Sequence, residues 1–529
     1  MDPERLIEAL SGPSAYPYPV DSVEVRQTHI SAVFLAGPYV YKVKKPVNLG
    51  FLDFCTLENR LHFCEEEVRL NRRLAPYVYL GVVPVVQTKE RLHFEGEGDV
   101  IEWAVKMRRL PDGATLEERL GRGEVDVELI KSLARRIASF HRGADANERI
   151  AAFGRFDRVA GIVLDVFSQA ASQVGTTVSR LVFDRVQSLV EEALGRCRVL
   201  IDARAAAGVP RDCHGDLHLD HVYYFPDKAP PDDLVIVDCI EFNERFRFID
   251  PVVDMAFPAM DLAFHGRRDL SQAFAVAYFD ASGDEEGRAL LPLYTAYRAT
   301  VRGMVEGLEL VEKEVPAADR ENALVRARAH WLFALAESES PARKPCLILV
   351  MGLPGTGKTM LAQGLANSAG FTVVRSDVVR KEIAGLSGKE QVARHLPEIF
   401  YNTEWSERTY AECLRRAEQL LFEGGRVLVD ATFLEEQKRQ SFLNAAVRWG
   451  VPAGILLCQA EPETVRRRLR LRHGDASDAD WSVYLQLVAT WEKMGTAARR
   501  VCHAISTEGS PEQVISCAVE ALQQSGFGE

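Results

Sequence analysis

A glycine-rich segment at 352–359 has the residue types and spacing of a phosphate-binding loop. Its sequence, GLPGTGKT, follows an apolar strand pattern and precedes a helical one. In such a loop backbone N–H groups surround a phosphate, and a lysine reaches the β- and γ-phosphates of a nucleotide. The residues expected to contact the nucleotide are Gly352, Gly355, Thr356, Gly357, Lys358 and Thr359. The hydroxyl of Thr359 could also hold Mg²⁺, so the segment predicts a site for ATP and Mg²⁺.

Three other segments of the same region carry charged side chains at informative positions. The apolar pattern RVLVD ends at Asp430, which could support Mg²⁺ or simply cap a helix. Asp377 and Arg380 follow another strand pattern in RSDVVRK, where an N-cap is the ordinary role of an aspartate. Arg468 and Arg472 are four residues apart, so a helix would present both on one face. That face could lie near the phosphates or be a solvated basic surface.

Residues 345–525 resemble P-loop kinases that phosphorylate hydroxyl groups, such as polynucleotide, gluconate and zeta-toxin-type kinases. They also resemble predicted P-loop kinases often labelled AAA-family or zeta-toxin-like ATPases. The resemblance implies that Asp377 orients or deprotonates the acceptor hydroxyl and that Arg380 grips the substrate. It further implies that Asp430 supports Mg²⁺, and that Arg468 and Arg472 stabilise charge from a mobile lid.

A cluster of histidines and aspartates at 213–221, CHGDLHLDH, is the second group of chemical interest. The strand pattern in DDLVIVDCIEFN places Asp238 22 residues after Asp216. Carboxylates supply the hard oxygen ligands that suit a divalent metal ion such as Mg²⁺. His214 and His218 are expected to brace the loop. A transition-metal site is an alternative for His214, Asp216, His218, Asp220 and His221.

Residues 20–335 resemble the aminoglycoside phosphotransferase branch of the protein-kinase-like fold. The resemblance implies that Asp216 orients the acceptor hydroxyl or accepts its proton, and that Asp238 holds Mg²⁺ against the phosphates of ATP. His221 stands where the family has an Asn that binds Mg²⁺, which makes His221 a candidate metal ligand. Because imidazole is a poor ligand for Mg²⁺, Asp220 could take its place, or one ion on Asp238 could suffice.

The same resemblance implies a lysine that pairs with the phosphates and a helical glutamate that meets it. Lys42 in YVYKVKK is the candidate lysine, and Lys44 is its competitor because it shares the same strand face. Glu67 on the following helix is the candidate glutamate, with Glu66 as the alternative. By position, the segment IDPVVDMAF, with Asp250 and Asp254, resembles one that stabilises the fold of this family.

The elements that must position these residues divide the chain at ESESPARKP, a polar segment with two prolines at 337–345. Residues 1–336 predict an α+β domain with an N-lobe at about 20–110, strand-rich with one helix, and a mainly helical C-lobe at about 111–336. Residues 346–529 alternate strands and helices, which predicts an α/β domain with a parallel sheet and flanking helices.

Composition narrows the class of protein. The 529 residues are 47% hydrophobic and 26% charged, which is ordinary for a soluble globular protein and excludes global disorder. A net charge of −12 argues against non-specific binding to duplex nucleic acid. The ten scattered cysteines, the acidic N-terminus and the absence of a long apolar run favour a cytoplasmic protein with reduced thiols and no membrane span.

The sequence therefore predicts a bifunctional ATP-dependent phosphotransferase, in which each domain transfers the γ-phosphoryl group of Mg·ATP to a hydroxyl. The expected partners are ATP and a hydroxyl-bearing small molecule such as a sugar or nucleoside. One alternative is an ATP-dependent switch with a ligand-binding pseudokinase domain, which His221 in place of Asn favours. The other is a nucleic-acid 5′-hydroxyl kinase, which the acidic total charge weakens.

Overall fold

The computed structural model describes residues 3–28, 30–50, 52–88, 91–311, 315–385, 403–471 and 480–528. The chain forms two compact units. The first unit comprises Met1–Asp165, Ala193–Arg298 and Leu308–Arg320. The second unit comprises Val166–Glu192, Ala299–Gly307 and Glu321–Glu529.

The first unit contains a six-stranded antiparallel sheet in the order β1-β2-β3-β6-β4-β5. Its strands are β1 (Val23–Gln27), β2 (Ser31–Ala36), β3 (Tyr39–Lys44), β4 (Tyr79–Gln87), β5 (Leu92–Phe94) and β6 (Asp99–Arg108). Helix α1 (Pro3–Leu10) precedes the sheet, and α2 (Leu57–Asn71) lies between β3 and β4 in the chain. One face of the sheet packs around aromatic rings, with Tyr41 stacked on Phe94 at 4.3 Å between centroids. The Thr56 side chain caps α2 by accepting from the N–H of Asn59.

Helices dominate the chain between 111 and 338. They are α3 (Leu116–Gly121), α4 (Val127–Gly143), α5 (Glu148–Phe153), α6 (Phe156–Ala170), α7 (Arg180–Ala206), α8 (Pro251–Phe264), α9 (Arg268–Ser282), α10 (Leu291–Glu309) and α11 (Ala317–Ser338). Two short antiparallel pairs interrupt them: β7 (Arg211–Asp212) with β10 (Phe248–Ile249), and β8 (Val222–Tyr224) with β9 (Leu234–Ile236). These pairs place the 213–221 segment next to Asp238.

The second unit contains the predicted parallel sheet, with five strands in the order β12-β13-β11-β14-β15. The strands are β11 (Cys346–Met351), β12 (Thr372–Arg375), β13 (Arg426–Asp430), β14 (Ala453–Gln459) and β15 (Cys502–Ser506). The helices are α12 (Lys358–Ala369), α13 (Ser376–Ile383), α14 (Thr403–Phe422), α15 (Glu436–Arg448), α16 (Pro462–Leu471), α17 (Trp481–Thr490), α18 (Thr496–Arg500) and α19 (Pro511–Gln524). Every residue of β11 is buried, as its continuous apolar sequence predicts for a central parallel strand.

The division between the units differs from the boundary predicted at 337–345. It falls inside α6, α7, α10 and α11, and helix α11 ends at Ser338, the second residue of the expected linker. The cause is packing within the second unit. The rings of Phe167, Phe183 and Trp331 lie 5.6–5.9 Å apart, and Arg185 forms an ion pair with Glu339 at 2.7 Å. Among the described helices, none is long and apolar enough to cross a membrane.

Candidate functional site

The glycine-rich loop connects β11 to α12 in the second unit, as the sequence predicts. Gly352, Gly355 and Gly357 all have positive φ, at 143°, 79° and 91°. A Cβ atom on Gly352 would lie 2.6 Å from the carbonyl oxygen of Cys458, so a side chain cannot be accommodated there. Lys358 begins α12, and its Nζ donates to the main-chain carbonyl of Leu353 at 3.0 Å. The loop and the N-terminus of α12 thus present backbone N–H groups to an anion.

Thr359 and Asp430 meet at the end of β13. The Thr359 hydroxyl donates to Oδ2 of Asp430 at 2.7 Å, and burial raises the pKa of Asp430. A hydroxyl and a carboxylate are the oxygen donors that Mg²⁺ accepts, so the two side chains fit this ion. Sequence reasoning missed Arg375, whose Nε lies 3.6 Å from Oδ2 of Asp430 and whose Nη2 donates to the Thr359 hydroxyl at 3.5 Å.

Asp377 and Arg380 lie in the first two turns of α13, with Asp377 Oδ1 3.7 Å from Arg380 Nη1. The helix begins after Arg375 and no side chain caps it, so the alternative role of Asp377 as an N-cap is wrong. The negative charge of Asp377 contributes to the raised pKa of Asp430, after burial. Asp377 is therefore close enough to the Asp430 carboxylate to influence its pKa.

Arg468, on α16, approaches the loop through one intermediate residue. Its guanidinium donates to the hydroxyl and the main-chain carbonyl of Thr507 at 3.1 and 2.5 Å. The Thr507 hydroxyl in turn donates to the carbonyl of Thr356 at 2.8 Å. A Cβ atom on Gly355 would come within 2.9 Å of Val465, so α16 packs directly on the loop. Arg472 lies outside the described residues.

In the first unit, both candidate lysines of β3 contact Glu67. Lys42 Nζ lies 3.0 Å from Oε1 of Glu67, and Lys44 Nζ lies 2.7 Å from Oε2. Glu67 is fully buried, whereas Glu66 pairs with Arg69 on the outer face of α2. Glu67 is thus the glutamate that meets the lysines, and Glu66 does not.

The two lysines differ in their second carboxylate. Lys42 contacts Oδ1 of Asp238 at 2.6 Å, and Lys44 forms a very short contact with Glu241. Burial would lower the pKa of Lys42, but the charges of Asp238 and Glu67 outweigh burial and raise it. Burial would likewise raise the pKa of Asp238, but the electrostatic interactions with Lys42 and His221 outweigh burial, and the pKa of Asp238 is lowered. Sequence reasoning missed Glu241, although an acidic residue three positions after Asp238 is a visible signal.

His221 lies between the two aspartates of this site. Its Nδ1 bonds to the main-chain carbonyl of Asp216 at 2.9 Å, and its Nε2 lies 3.7 Å from Oδ2 of Asp238. Burial, followed by the neighbouring His218, lowers the pKa of His221 and favours the neutral ring. Asp238 has a left-handed backbone with φ of 63°, and its N–H donates to the Tyr79 hydroxyl at 3.1 Å. The structure therefore brings together Lys42, Glu67, Asp216, His221 and Asp238.

Asp254 braces the segment that carries Asp216. Its carboxylate accepts from the N–H groups of His214 and Gly215 at 2.9 and 2.8 Å, and from Nε2 of His141 at 3.0 Å. The His214 ring bonds to the carbonyl of Val237, next to Asp238, at 2.9 Å. Burial lowers the pKa of His214 to about 4. His214 and Asp254 thus hold the two aspartate segments together, in the structural roles expected of them.

Comparison with known proteins gives the following relations. Residues 347–494 match the family model of the AAA domain, in agreement with the resemblance of the C-terminal region. The uncharacterized proteins Rv2004c and MT2060 of Mycobacterium tuberculosis and Mb2027c of Mycobacterium bovis are each 32% identical to the chain over 500 residues. Each match covers 94% of this chain and 94% of the relative. The chain therefore belongs to the family of these mycobacterial proteins.

Solved structures also show a likeness over part of the chain. A sugar kinase from Janibacter sp. HTCC2649 is 19% identical with a TM-score of 0.28, and covers 35% of this chain and 99% of its own. A gluconokinase from Sinorhizobium meliloti 1021 is 17% identical with a TM-score of 0.27, and covers 35% of this chain and 95% of its own.

Proposed function

We propose that this chain is a bifunctional ATP-dependent phosphotransferase with one phosphoryl-transfer site in each unit, acting on hydroxyl groups of small molecules. In this proposal the second unit is a P-loop kinase, and the first unit is a two-lobed aminoglycoside phosphotransferase-like kinase. The observation that carries the proposal is the pair of separate constellations. Each combines a lysine suited to phosphates with an aspartate suited to a metal ion.

In the second unit the loop would bind the phosphates of ATP, with Lys358 neutralising charge on the β- and γ-phosphates. Thr359 and Asp430 would hold Mg²⁺, which supplies charge neutralisation of the phosphates when bound. Asp377 would align the acceptor hydroxyl and accept its proton, and Arg380 would grip the acceptor. The support for this assignment is the Thr359–Asp430 contact of 2.7 Å and the influence of Asp377 on Asp430.

In the first unit Lys42 would bind the phosphates, and Glu67 would keep its ammonium group in place. Asp238 and His221 would bind the metal ion, and Asp216 would align the acceptor hydroxyl. The contacts of Lys42 with both Glu67 and Asp238 support this arrangement, because they bring a phosphate ligand and a metal ligand to one point. Transfer then depends on positioning and electrostatics, as in other phosphoryl-transfer sites.

Separate inactivation of the sites in the full chain tests the proposal. Labelled ATP is incubated with sugars, nucleosides, aminoglycosides and a 5′-hydroxyl oligonucleotide, using the unaltered chain, Lys358→Ala, Asp216→Ala and the double variant. The exposed Lys493→Ala and Asp227→Ala are the matched controls. Each active-site substitution should reduce transfer to its own acceptor by about 100-fold or more, and leave transfer to the other acceptor unchanged.

The outcomes separate the candidate functions. If Asp216→Ala leaves every transfer intact while Lys358→Ala abolishes all of them, the bifunctional proposal fails. The first unit would then be a pseudokinase, the alternative that His221 in place of Asn favours. Transfer to the oligonucleotide alone would instead support the 5′-hydroxyl kinase.

A further inference from the structure

The candidate metal ligands of the first unit include imidazole nitrogen as well as carboxylate oxygen. Nε2 of His218 lies 3.6 Å from Oδ2 of Asp216, and Nε2 of His221 lies 3.7 Å from Oδ2 of Asp238. One ligand atom from each of Asp216, His218 and His221 falls within 4.8 Å of the others. Two ligand atoms bound to one ion at about 2.1 Å lie roughly 3–4 Å apart, so the separation of His221 Nε2 and Asp238 Oδ2 suits a shared ion.

The hydrogen bond of His221 fixes which nitrogen faces the site. A main-chain carbonyl only accepts hydrogen bonds, so Nδ1, bonded to the carbonyl of Asp216, carries the proton in the neutral ring. Nε2 then has the lone pair and faces Asp238. Lys42 contacts Oδ1 of Asp238, which leaves Oδ2 on the side of His221. A backbone bond of this kind is the usual way in which proteins orient a metal-binding histidine.

The charges around this point favour an added cation. The charged groups in mutual contact are the ammonium groups of Lys42 and Lys44 and the carboxylates of Glu67, Asp238 and Glu241. The carboxylate of Asp216 lies on the other side of His221. Among these described groups around Asp238, three carboxylates thus accompany two ammonium groups, and a cation bound there would offset the excess negative charge.

We propose that the first unit binds a transition-metal dication, for which Mn²⁺ is the probe, through Nε2 of His221 and Oδ2 of Asp238. Asp216 and His218 lie beside the His221 ring, but Asp216 approaches its Nδ1 edge, so neither residue is assigned as a ligand of this ion. Mixed imidazole and carboxylate ligands suit divalent transition metals, whereas Mg²⁺ prefers oxygen alone. The inference deepens the function proposed for the first unit and rests on it for the role of the ion. The binding itself does not require turnover.

Electron paramagnetic resonance with Mn²⁺ alone tests the proposal in the full chain without nucleotide. Asp430→Asn serves as the common background, because it removes a carboxylate of the second-unit site. Pulsed measurements should show hyperfine coupling to an imidazole nitrogen, since the second-unit ligands Thr359 and Asp430 offer only oxygen. His221→Asn should remove this coupling and weaken Mn²⁺ binding by about 10- to 100-fold. His62→Asn, at an exposed histidine, should change neither the nitrogen coupling nor the affinity for Mn²⁺.

The results also distinguish this inference from the proposed function. Nitrogen coupling without any phosphotransfer by the first unit would keep the metal site and reject the kinase. Transfer with Mg²⁺ but no nitrogen coupling would keep the kinase and overturn the metal site. Coupling that persists unchanged in His221→Asn would also overturn the assignment. If His221→Asn does not fold, Asp238→Asn in the Asp430→Asn background replaces it, and nitrogen coupling that persists unchanged there would overturn the assignment.

Discussion

Replacing Asp254 with asparagine tests how the first unit holds the segment that carries Asp216. Asp254 is completely buried in α8 and accepts three hydrogen bonds, from His214, Gly215 and His141. Asparagine has nearly the same size but only one acceptor oxygen. At least one of the three donors would therefore face an N–H group instead of an oxygen.

The expected cost follows from these contacts. A hydrogen bond to a charged group contributes about 1.5–3 kcal/mol, and an unpaired buried donor costs about 1–3 kcal/mol. We therefore expect Asp254→Asn to lower the free energy of local opening by about 2–4 kcal/mol. This corresponds to amide exchange of the 211–222 segment that is roughly 30- to 1,000-fold faster.

The same residue predicts a dependence on pH. Burial would raise the pKa of Asp254, but the hydrogen bond and charge of His141 outweigh it and lower the pKa from 3.8 to about 2. A lowered pKa stabilises the folded state above the ordinary value of the group. This stabilisation, about 2 kcal/mol, is complete above pH 4 and disappears as the pH falls towards 2. The difference in free energy of unfolding between the unaltered chain and Asp254→Asn should therefore become smaller as the pH falls from 4 to 2.

Hydrogen–deuterium exchange of peptides covering 211–222 is the assay, with denaturant unfolding from pH 2 to 7 as the second measurement. Asp280→Asn is the matched control, because Asp280 is exposed on α9. The reasoning would be refuted if the 211–222 peptides exchanged equally fast in Asp254→Asn and Asp280→Asn. A constant stability difference across pH 4 to 2 would refute the charge argument alone.

Three further predictions concern the two sites. Glu67→Gln should lower the free energy of unfolding by about 3–5 kcal/mol, because it leaves the buried ammonium groups of Lys42 and Lys44 poorly paired. Glu66→Gln, on the outer face of α2, should change the free energy of unfolding by less than about 0.5 kcal/mol. Urea denaturation measures both values. Gly352→Ala should abolish binding of a fluorescent ATP analogue by the second unit, since its Cβ would lie 2.6 Å from a main-chain carbonyl oxygen; unchanged affinity would contradict the geometry of the loop. Transfer by the second unit should fall at acidic pH as Asp430, whose pKa burial raises, becomes protonated. Arg375→Ala should move this fall to higher pH, and coincident rate profiles with Mg²⁺ would show that Arg375 does not act on Asp430.

Local sequence patterns predict much of the second unit. A buried strand, a glycine-rich loop and a helix are consecutive in the chain, so short-range spacing predicts that Lys358 and Thr359 lie at the start of α12. The approach of Arg375 to Asp430 depends instead on β12 pairing with β13, which is a property of strand order. The link from Arg468 through Thr507 likewise depends on a residue 39 positions away. Contacts of this kind have no local signal.

The first unit shows where periodicity stops being informative. Alternation along β3 puts Lys42 and Lys44 on one face, but it cannot choose between them, and the structure places both against Glu67. Glu241 contacts Lys44 across 197 residues of sequence, so the tertiary fold is needed to pair the two side chains. Proline and polar composition predict a boundary at 337–345. The division between the units falls instead within α11, whose Trp331 packs on Phe167 in the second unit.

The contacts of Asp238 and Asp430, the two carboxylates proposed to bind metal, predict different orders of binding of metal and ATP. In the first unit Lys42 contacts Oδ1 of Asp238, so an ion can reach Oδ2 and His221 without breaking an existing bond. In the second unit the Thr359 hydroxyl and Oδ2 of Asp430 are bonded to each other, and this bond must open before either atom can bind an ion. Phosphates bound by Lys358 would offset the cost of that opening, because they supply further oxygen ligands.

We therefore expect Mn²⁺ to bind the first unit equally well with or without ATP, and to bind the second unit only with ATP. Titration of Asp238→Asn and Asp430→Asn with Mn²⁺, each with and without ATP, measures the two sites separately. Strong nucleotide-free binding that Asp430→Asn abolishes would contradict the argument.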